Sequence, residues 1–377
     1  MLRSIETLSR LDWKLLWAAI GLSAIGFIAL YGIGISQNPP SFFLLYKQLG
    51  AVAIGIGLVV CGVLFDYRQA RSLSVLTYLA GAGLLLLVLA LGVSVNATRG
   101  WFRVGILSFQ PVEIAKITLT IYLASFFAKH GRGALTWKTF CLSGIATLFY
   151  GLLTLAQPDF GSAMVFFGIW GIMCLFLGLP KHAWVILPTL ALLLGGFAWG
   201  YALKPYQRDR VFTFLHPERD IRGSGYNAMQ ARIAIGSGGW FGKGIAEGSQ
   251  ARLRFLPEAA TDFLFSVLGE ELGFIGIALV LSLVSFIFYR TLRIAAESEH
   301  DFGGLILVGL SGGLFIHVFV NAGMNLGIMP ITGIPFPFIS AAASSMVASF
   351  TTIAFAESAA VRRRSIFPVQ EEDLMNS

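Results

Sequence analysis

The chain has 377 residues, 56% of them hydrophobic and 12% charged, with a mean hydropathy of +0.76, a balance no water-soluble domain of this size reaches, so the soluble enzyme classes are excluded. The net charge of +7 is spread through the connecting segments instead of gathered into one tract, which leaves no electrostatic track for a nucleic-acid partner. Cys61, Cys141 and Cys174 lie inside hydrophobic runs, at neither disulfide nor metal-ligand spacing, and are expected to be apolar filling.

Apolar runs of about twenty residues, enough to cross a hydrocarbon core of roughly 30 Å as helix, recur along the chain. They predict spans at 13–35, 43–65, 71–92, 110–128, 139–156, 159–179, 183–203, 262–289, 302–322 and 340–361. The first run is too long for a secretory segment and lacks a small-residue cleavage site, so it is read as retained. Arg3, Arg10, Lys14, Arg68, Arg71, Lys129, Arg132, Lys138, Lys181, Arg290, Arg293 and Arg362 to Arg364 then fall on one side. The expectation is an all-α polytopic membrane protein of about ten transmembrane helices, one domain over 1–377, with both termini cytoplasmic and a cytoplasmic tail at 365–377. A large extracytoplasmic loop, 204–261, lies between helices 7 and 8. It carries nine Lys/Arg against five Asp/Glu, against the positive-inside rule, although long loops cross with less regard for charge.

After the third span, Asn96-Ala-Thr-Arg99-Gly-Trp101-Phe-Arg103 places two cations and an aromatic in a short outside loop, as an interfacial anchor or a dock for an anionic head group. Gln110 and Pro111 begin the fourth span. Glu113 and Lys116 follow at membrane depth, one turn apart, either as an i,i+3 ion pair or facing a substrate. In the turn Gln157-Pro-Asp159-Phe-Gly161, Asp159 can cap the sixth span or stand beside a substrate.

In the large loop, Tyr226 to Ile235 can form a short helix, followed by the flexible basic turn Gly236 to Gly244 with Lys243. A phosphate-loop reading of that turn fails, because Ser237 stands where the first glycine belongs, Gly244 replaces the hydroxyl residue, and no strand–helix unit surrounds it. Arg252, Arg254, Glu258, Thr261 and Asp262 converge where the eighth span begins. Thr261 as N-cap and Asp262 as first-turn acid explain two of them without catalysis. Glu270 and Glu271 lie two turns deeper and require a buried partner, for which Lys116 and Arg99 are candidates. Asn321 to Ser340 is apolar but broken by three prolines, so it cannot be one regular helix and reads as a re-entrant, cavity-lining segment.

Six motifs in order resemble those of the SEDS family (shape, elongation, division and sporulation), most closely its RodA branch. They are Ala97-Thr-Arg99-Gly-Trp101, Gln110-Pro-Val-Glu113-Ile-Ala-Lys116, Gln157-Pro-Asp159-Phe-Gly161, His216-Pro-Glu-Arg219-Asp220 with Gly225-Tyr226, Phe255-Leu-Pro-Glu258-Ala-Ala-Thr261-Asp262-Phe263, and Asn325 to Ser340. The resemblance implies a polymerase that joins the disaccharide units of lipid II outside the cytoplasmic membrane, with Asp262 as the essential carboxylate. It further implies Arg99, Trp101, Lys116, Arg252, Arg254 and Glu258 near the substrate, and Glu113, Asp159, Lys243, Glu270, Asn325 and Ser340 in support. A divalent cation at Asp159 is an option, and no other cofactor is implied. The partners implied are lipid II, a class B penicillin-binding protein and other elongation-complex proteins. Two departures stand out: Ala341-Ala342-Ala343 replaces a usual Tyr-Gly-Gly, and Gly100 replaces a usual basic residue. Division-type relatives share most of the motifs. Outside the family, a lipid II flippase or other transporter, or a non-catalytic scaffold, are the competing readings.

Overall fold

Asp12 opens the first helix: its carboxylate accepts the free N–H of Leu15 at 3.3 Å, and the apolar run behind it stays helical from Trp13 to Ile35 (α1). The computed structural model describes residues 11–95, 98–105, 107–130, 135–186, 212–217, 220, 223–253 and 255–362, with the single positions 189, 196, 200 and 208. Along them follow α2 (Phe43–Leu64), a short α3 (Gln69–Ser72), α4 (Ser74–Leu91), α5 (Pro111–His130), α6 (Trp137–Ala156), α7 (Phe160–Leu177), α8 (Ser224–Ser237), α9 (Ser249–Arg252), α10 (Leu264–Ala296), α11 (Asp301–Leu326) and α12 (Ala343–Val361). Among the described residues, eight of these helices are long and apolar enough to cross a membrane, and the chain is a membrane protein. The predicted span 183–203 lies largely outside the described residues, as does the tail beyond Arg362. α12 packs along α2, while α11 runs through the middle of the bundle against α5, α7 and α10.

Four expectations about the elements need correction. The segment after α4, expected as a short outside loop, forms an antiparallel sheet of β1 (Val93–Val95), β2 (Thr98–Val104) and β3 (Leu107–Phe109), in that order. Ser94 stands opposite Arg99 and Arg103 opposite Ser108, and Gly105, at φ 61°, makes the turn between β2 and β3. Thr261 is not an N-cap, since α10 begins only at Leu264 with Phe263 before it. α11 continues to Leu326, so Asn321 and Asn325 are helical, and the irregular segment starts at Gly327, a left-handed C-cap at φ 77°. Finally, α10 is 33 residues long and broken at Gly273 (φ 67°, ψ −162°), where the backbone of Gly242 comes too close for any side chain.

That break is where the 238–250 loop docks. Glu270, fully buried, accepts from the Lys243 ammonium (2.7 Å), the Ser249 N–H and hydroxyl (2.9 Å each) and the Gln250 N–H (3.1 Å). The partner of Glu270 is therefore Lys243, not Lys116 or Arg99: the loop folds back over its own helix, a placement no local pattern encodes. Glu271 accepts the Ala246 N–H at 3.0 Å.

Candidate active site

Three irregular segments and the sheet meet at one end of the bundle and enclose a cavity of about 380 Å³, within the range of small-molecule sites. Its wall includes Trp101 from β2, Asp159 ahead of α7, Glu258 and Asp262 ahead of α10, and Gly333 and Pro335 beyond α11. Asp262 thus lies in the turn before a membrane helix, at the bundle's end and facing a cavity.

The backbone around Asp262 is tied from both sides. Asn321 and Asn325 both donate from Nδ2 to the Asp262 carbonyl, each at 3.0 Å. The Ser340 hydroxyl donates to the Thr261 carbonyl at 2.6 Å, and the Ala341 N–H donates to the Ala260 carbonyl at 2.9 Å. Three successive carbonyls are therefore satisfied by α11 and by the segment leading into α12, which fixes the backbone from which the Asp262 side chain projects. Asn325 is itself fixed, since its Oδ1 accepts the Ser266 hydroxyl at 2.5 Å. Gly333 faces the carboxylate: a Cβ there would stand 3.6 Å from Oδ2.

Burial, and then the Glu258 carboxylate, push Asp262 up to about 6, opposed by the Thr261 side chain. Glu258 accepts the Thr261 hydroxyl at 3.1 Å. Asp159 caps α7 by accepting the Ser162 N–H at 2.9 Å, and burial raises its carboxyl above the usual range despite that bond. Its turn is held in place by Gln157, which accepts the Arg99 N–H through its carbonyl (3.2 Å) and donates to the Leu85 carbonyl (3.0 Å).

Other predicted site residues lie elsewhere. The Arg99 guanidinium, exposed, donates to the Gly92 and Ala90 carbonyls at 3.1 and 2.9 Å and so closes the end of α4. Lys116 is buried in the bundle, 2.7 Å from Glu113 and 2.9 Å from His317. Arg252 is exposed and stands 3.7 Å from Glu247. Lys243 and Glu270 fasten the loop over α10. Arg254 lies outside the described residues. Among the described residues no three His, Cys, Asp or Glu are grouped to hold a metal ion.

Two residues of this site were missed in the sequence. Lys47, near the start of α2, is the one cation on the cavity wall among the described residues, and it donates to the Ser108 hydroxyl at 2.8 Å. Asn321 clamps Asp262. The same reasoning that singled out Lys116 applies to Lys47, a charge inside an apolar run.

The family model of the FtsW/RodA/SpoVE cell cycle proteins matches residues 12–365. The chain belongs to this family. Among its SEDS relatives, the peptidoglycan glycosyltransferase MrdB of Escherichia coli K12 is 36% identical, over 80% of this chain and 81% of the relative. The probable peptidoglycan glycosyltransferase FtsW of Aromatoleum aromaticum is 34% identical, over 94% of this chain and 89% of its own. In structure, the fold resembles a chain of a peptidoglycan synthase complex described for the coordination of polymerization and crosslinking, with a TM-score of 0.82 and 33% identity over 94% and 99% of the two chains. The rod shape determining protein RodA of Thermus thermophilus follows with a TM-score of 0.70 and 30% identity over 94% and 98%.

Proposed function

We propose that the chain is a peptidoglycan glycosyltransferase of cell-wall elongation that polymerises lipid II on the outer face of the bacterial cytoplasmic membrane, with Asp262 as general base. The observation that carries this is a carboxylate raised to about 6, backbone-clamped and facing a cavity of about 380 Å³ at the bundle's end. A base with that proton affinity is half-ionised just below neutrality and accepts a proton most usefully there.

In this reading the acceptor sugar hydroxyl gives its proton to the Asp262 carboxylate as its oxygen bonds to the donor's anomeric carbon. The bond from that carbon to the pyrophosphate oxygen breaks, and undecaprenyl pyrophosphate leaves with the electron pair. Attack opposite an α-linked leaving group gives a β-1,4 linkage with inversion. Charge on the departing pyrophosphate is met by Lys47 on the cavity wall and by Arg254. Trp101 offers an apolar face to a sugar or the lipid's first isoprene units. Arg99, Lys116 and Arg252, engaged elsewhere, act on the site indirectly. Asp159 and Glu258, on the same wall, are the carboxylates that would hold a divalent cation together with substrate phosphate oxygens, and the ion would neutralise phosphate charge.

The outer-face orientation is supported by the basic residues gathered at the bundle's other end, which the positive-inside rule assigns to the cytoplasm. Assembly with a class B penicillin-binding protein and other elongation proteins is supported by the likeness to a synthase complex of polymerization and crosslinking. Elongation is supported by the likeness to RodA and by the Phe255 and His216-Pro motifs; the FtsW relative favours division as the second reading.

Purified protein supplied with lipid II is expected to yield glycan polymer, and Asp262→Ala to yield about 10³-fold less. Movement of labelled lipid II across vesicles without polymer defeats the polymerase reading in favour of a transporter. Rescue of rod shape, but not of septation, in depleted cells separates elongation from division.

A further inference from the structure

One face of α11 carries His317, Asn321 and Asn325, spaced four residues apart and therefore stacked. Each reaches backbone at the cavity. Asn325 and Asn321 hold the Asp262 carbonyl, Asn321 also donates to the Ile334 carbonyl at 2.7 Å, and His317 Nδ1 lies 3.3 Å from the Pro335 carbonyl. The other ring nitrogen, Nε2, lies 2.9 Å from the Lys116 ammonium, which at the same time donates to Glu113 Oε1 at 2.7 Å.

With Lys116 as the ammonium that pairs Glu113, one protonation pattern follows. An ammonium only donates, so Nε2 must accept; the ring's single proton then sits on Nδ1 and points at a carbonyl, which only accepts. A continuous line runs from the Glu113 carboxylate through Lys116 and His317 to Pro335, two residues from the glycine that faces the Asp262 carboxylate.

We infer that His317 is a positioning residue, through which the buried Glu113–Lys116 pair sets the 333–335 segment against Asp262. Lys116 and Glu113 then serve the reaction without touching substrate. Each of the three polar side chains is costly in an apolar helix unless it is bonded, and all three are bonded toward the cavity. The kinetic part of this inference rests on the polymerase reading; the structural part does not.

A double-mutant cycle on the full-length protein tests it. Lys116→Met is expected to lower kcat for lipid II polymerisation by about 10²-fold, the loss typical of a shifted catalytic geometry, with KM nearly unchanged. In the His317→Leu background the same substitution should cost less than about threefold more, because the two act through one line of contacts. His317→Gln, which supplies one acceptor and one donor, should recover most of the loss. Backbone amides of 331–341 should exchange faster with solvent in Lys116→Met and in His317→Leu but not in His317→Gln, a readout that needs no activity and that Lys116→Met still supplies if the leucine variant does not fold. Losses that multiply, a rise confined to KM, or unchanged exchange in 331–341 overturn the inference. A wild-type protein that makes no polymer overturns the polymerase reading instead, and leaves the exchange result to decide this one.

Discussion

Two acids at opposite ends of the bundle, Asp12 and Asp262, are held in opposite ways. At the end away from the cavity, Asp12 is gripped by the Arg290 guanidinium and its N–H donates to Glu357 Oε2 at 2.8 Å, while Arg362 stands 3.7 Å from Asp66 and caps α2 through the Val63 carbonyl at 3.1 Å. At the cavity end, neither Asp262 nor Asp159 makes an ion pair among the described residues, and the chain around Asp262 is held by neutral amides and a hydroxyl. The physical difference is in proton affinity. A guanidinium beside a carboxylate stabilises its charge and lowers its appetite for a proton; burial beside another acid raises it. Asp12 fastens helices, as Glu113 and Glu270 do with their lysines, whereas Asp262 is held by its backbone so that the side chain stays available for chemistry.

The largest effects should separate these two uses. Asp262→Ala is expected to lower polymerisation by about 10³-fold, in the range of a lost general base, with the melting temperature little changed. Arg290→Ala should do the reverse. It leaves Asp12 buried without its cation, which costs about 3–5 kcal/mol, yet the folded fraction should polymerise at the normal rate, as measured by polymer yield per correctly folded molecule. An Arg290→Ala protein that folds well but makes no polymer would show that the two ends are not independent.

A smaller and more particular effect comes from pH. With Asp262 at about 6, the polymerisation rate should fall roughly tenfold per unit as pH drops well below that value. Stability moves the other way. A carboxyl whose affinity is raised by folding favours the folded state while protonated, and that contribution is lost as pH rises through about 6. Asp262→Asn should therefore melt above the wild type at about pH 7.5, with the gap closing as pH falls toward the unfolded value near 4. An equal gap at both pH values would mean that the asparagine gains its stability from packing alone. Next in size, Asn325→Ala removes one of two donors to the Asp262 carbonyl and strands Ser266, at about 1–3 kcal/mol; a loss of about tenfold in kcat at constant KM would mark it as part of the clamp.

What the sequence revealed follows the same division. The helices were legible because lipid demands long apolar runs, and run length survives any tertiary arrangement. The Asp159 cap and the Glu113–Lys116 pair were legible because both partners lie within one turn. The sheet at 93–109 was not, because its strands are three, seven and three residues long and too short to establish an alternating pattern. The clamp on Asp262 was hidden by distance: Asn321 and Asn325 are about sixty residues from the carbonyl they hold, and a polar residue in an apolar helix announces a partner without naming it. The break at Gly273 was hidden as well, since the chain stays apolar beyond it and only the approach of Gly242 requires the glycine.

The smallest effect is expected at Arg252, and it bears on how the basic residues of the large loop should be understood. Its guanidinium is exposed and stands 3.7 Å from an equally exposed Glu247, a geometry worth about 0–1 kcal/mol at most. Arg252→Ala should therefore leave melting and polymerisation nearly unchanged, in contrast to Lys47→Ala, which removes the described cation on the cavity wall. If Lys47→Ala raises KM for lipid II while Arg252→Ala does not, pyrophosphate charge is met from inside the cavity. If Arg252→Ala is the more damaging, most of all at low salt, the loop must close over the cavity during the reaction and bring its guanidinium groups with it.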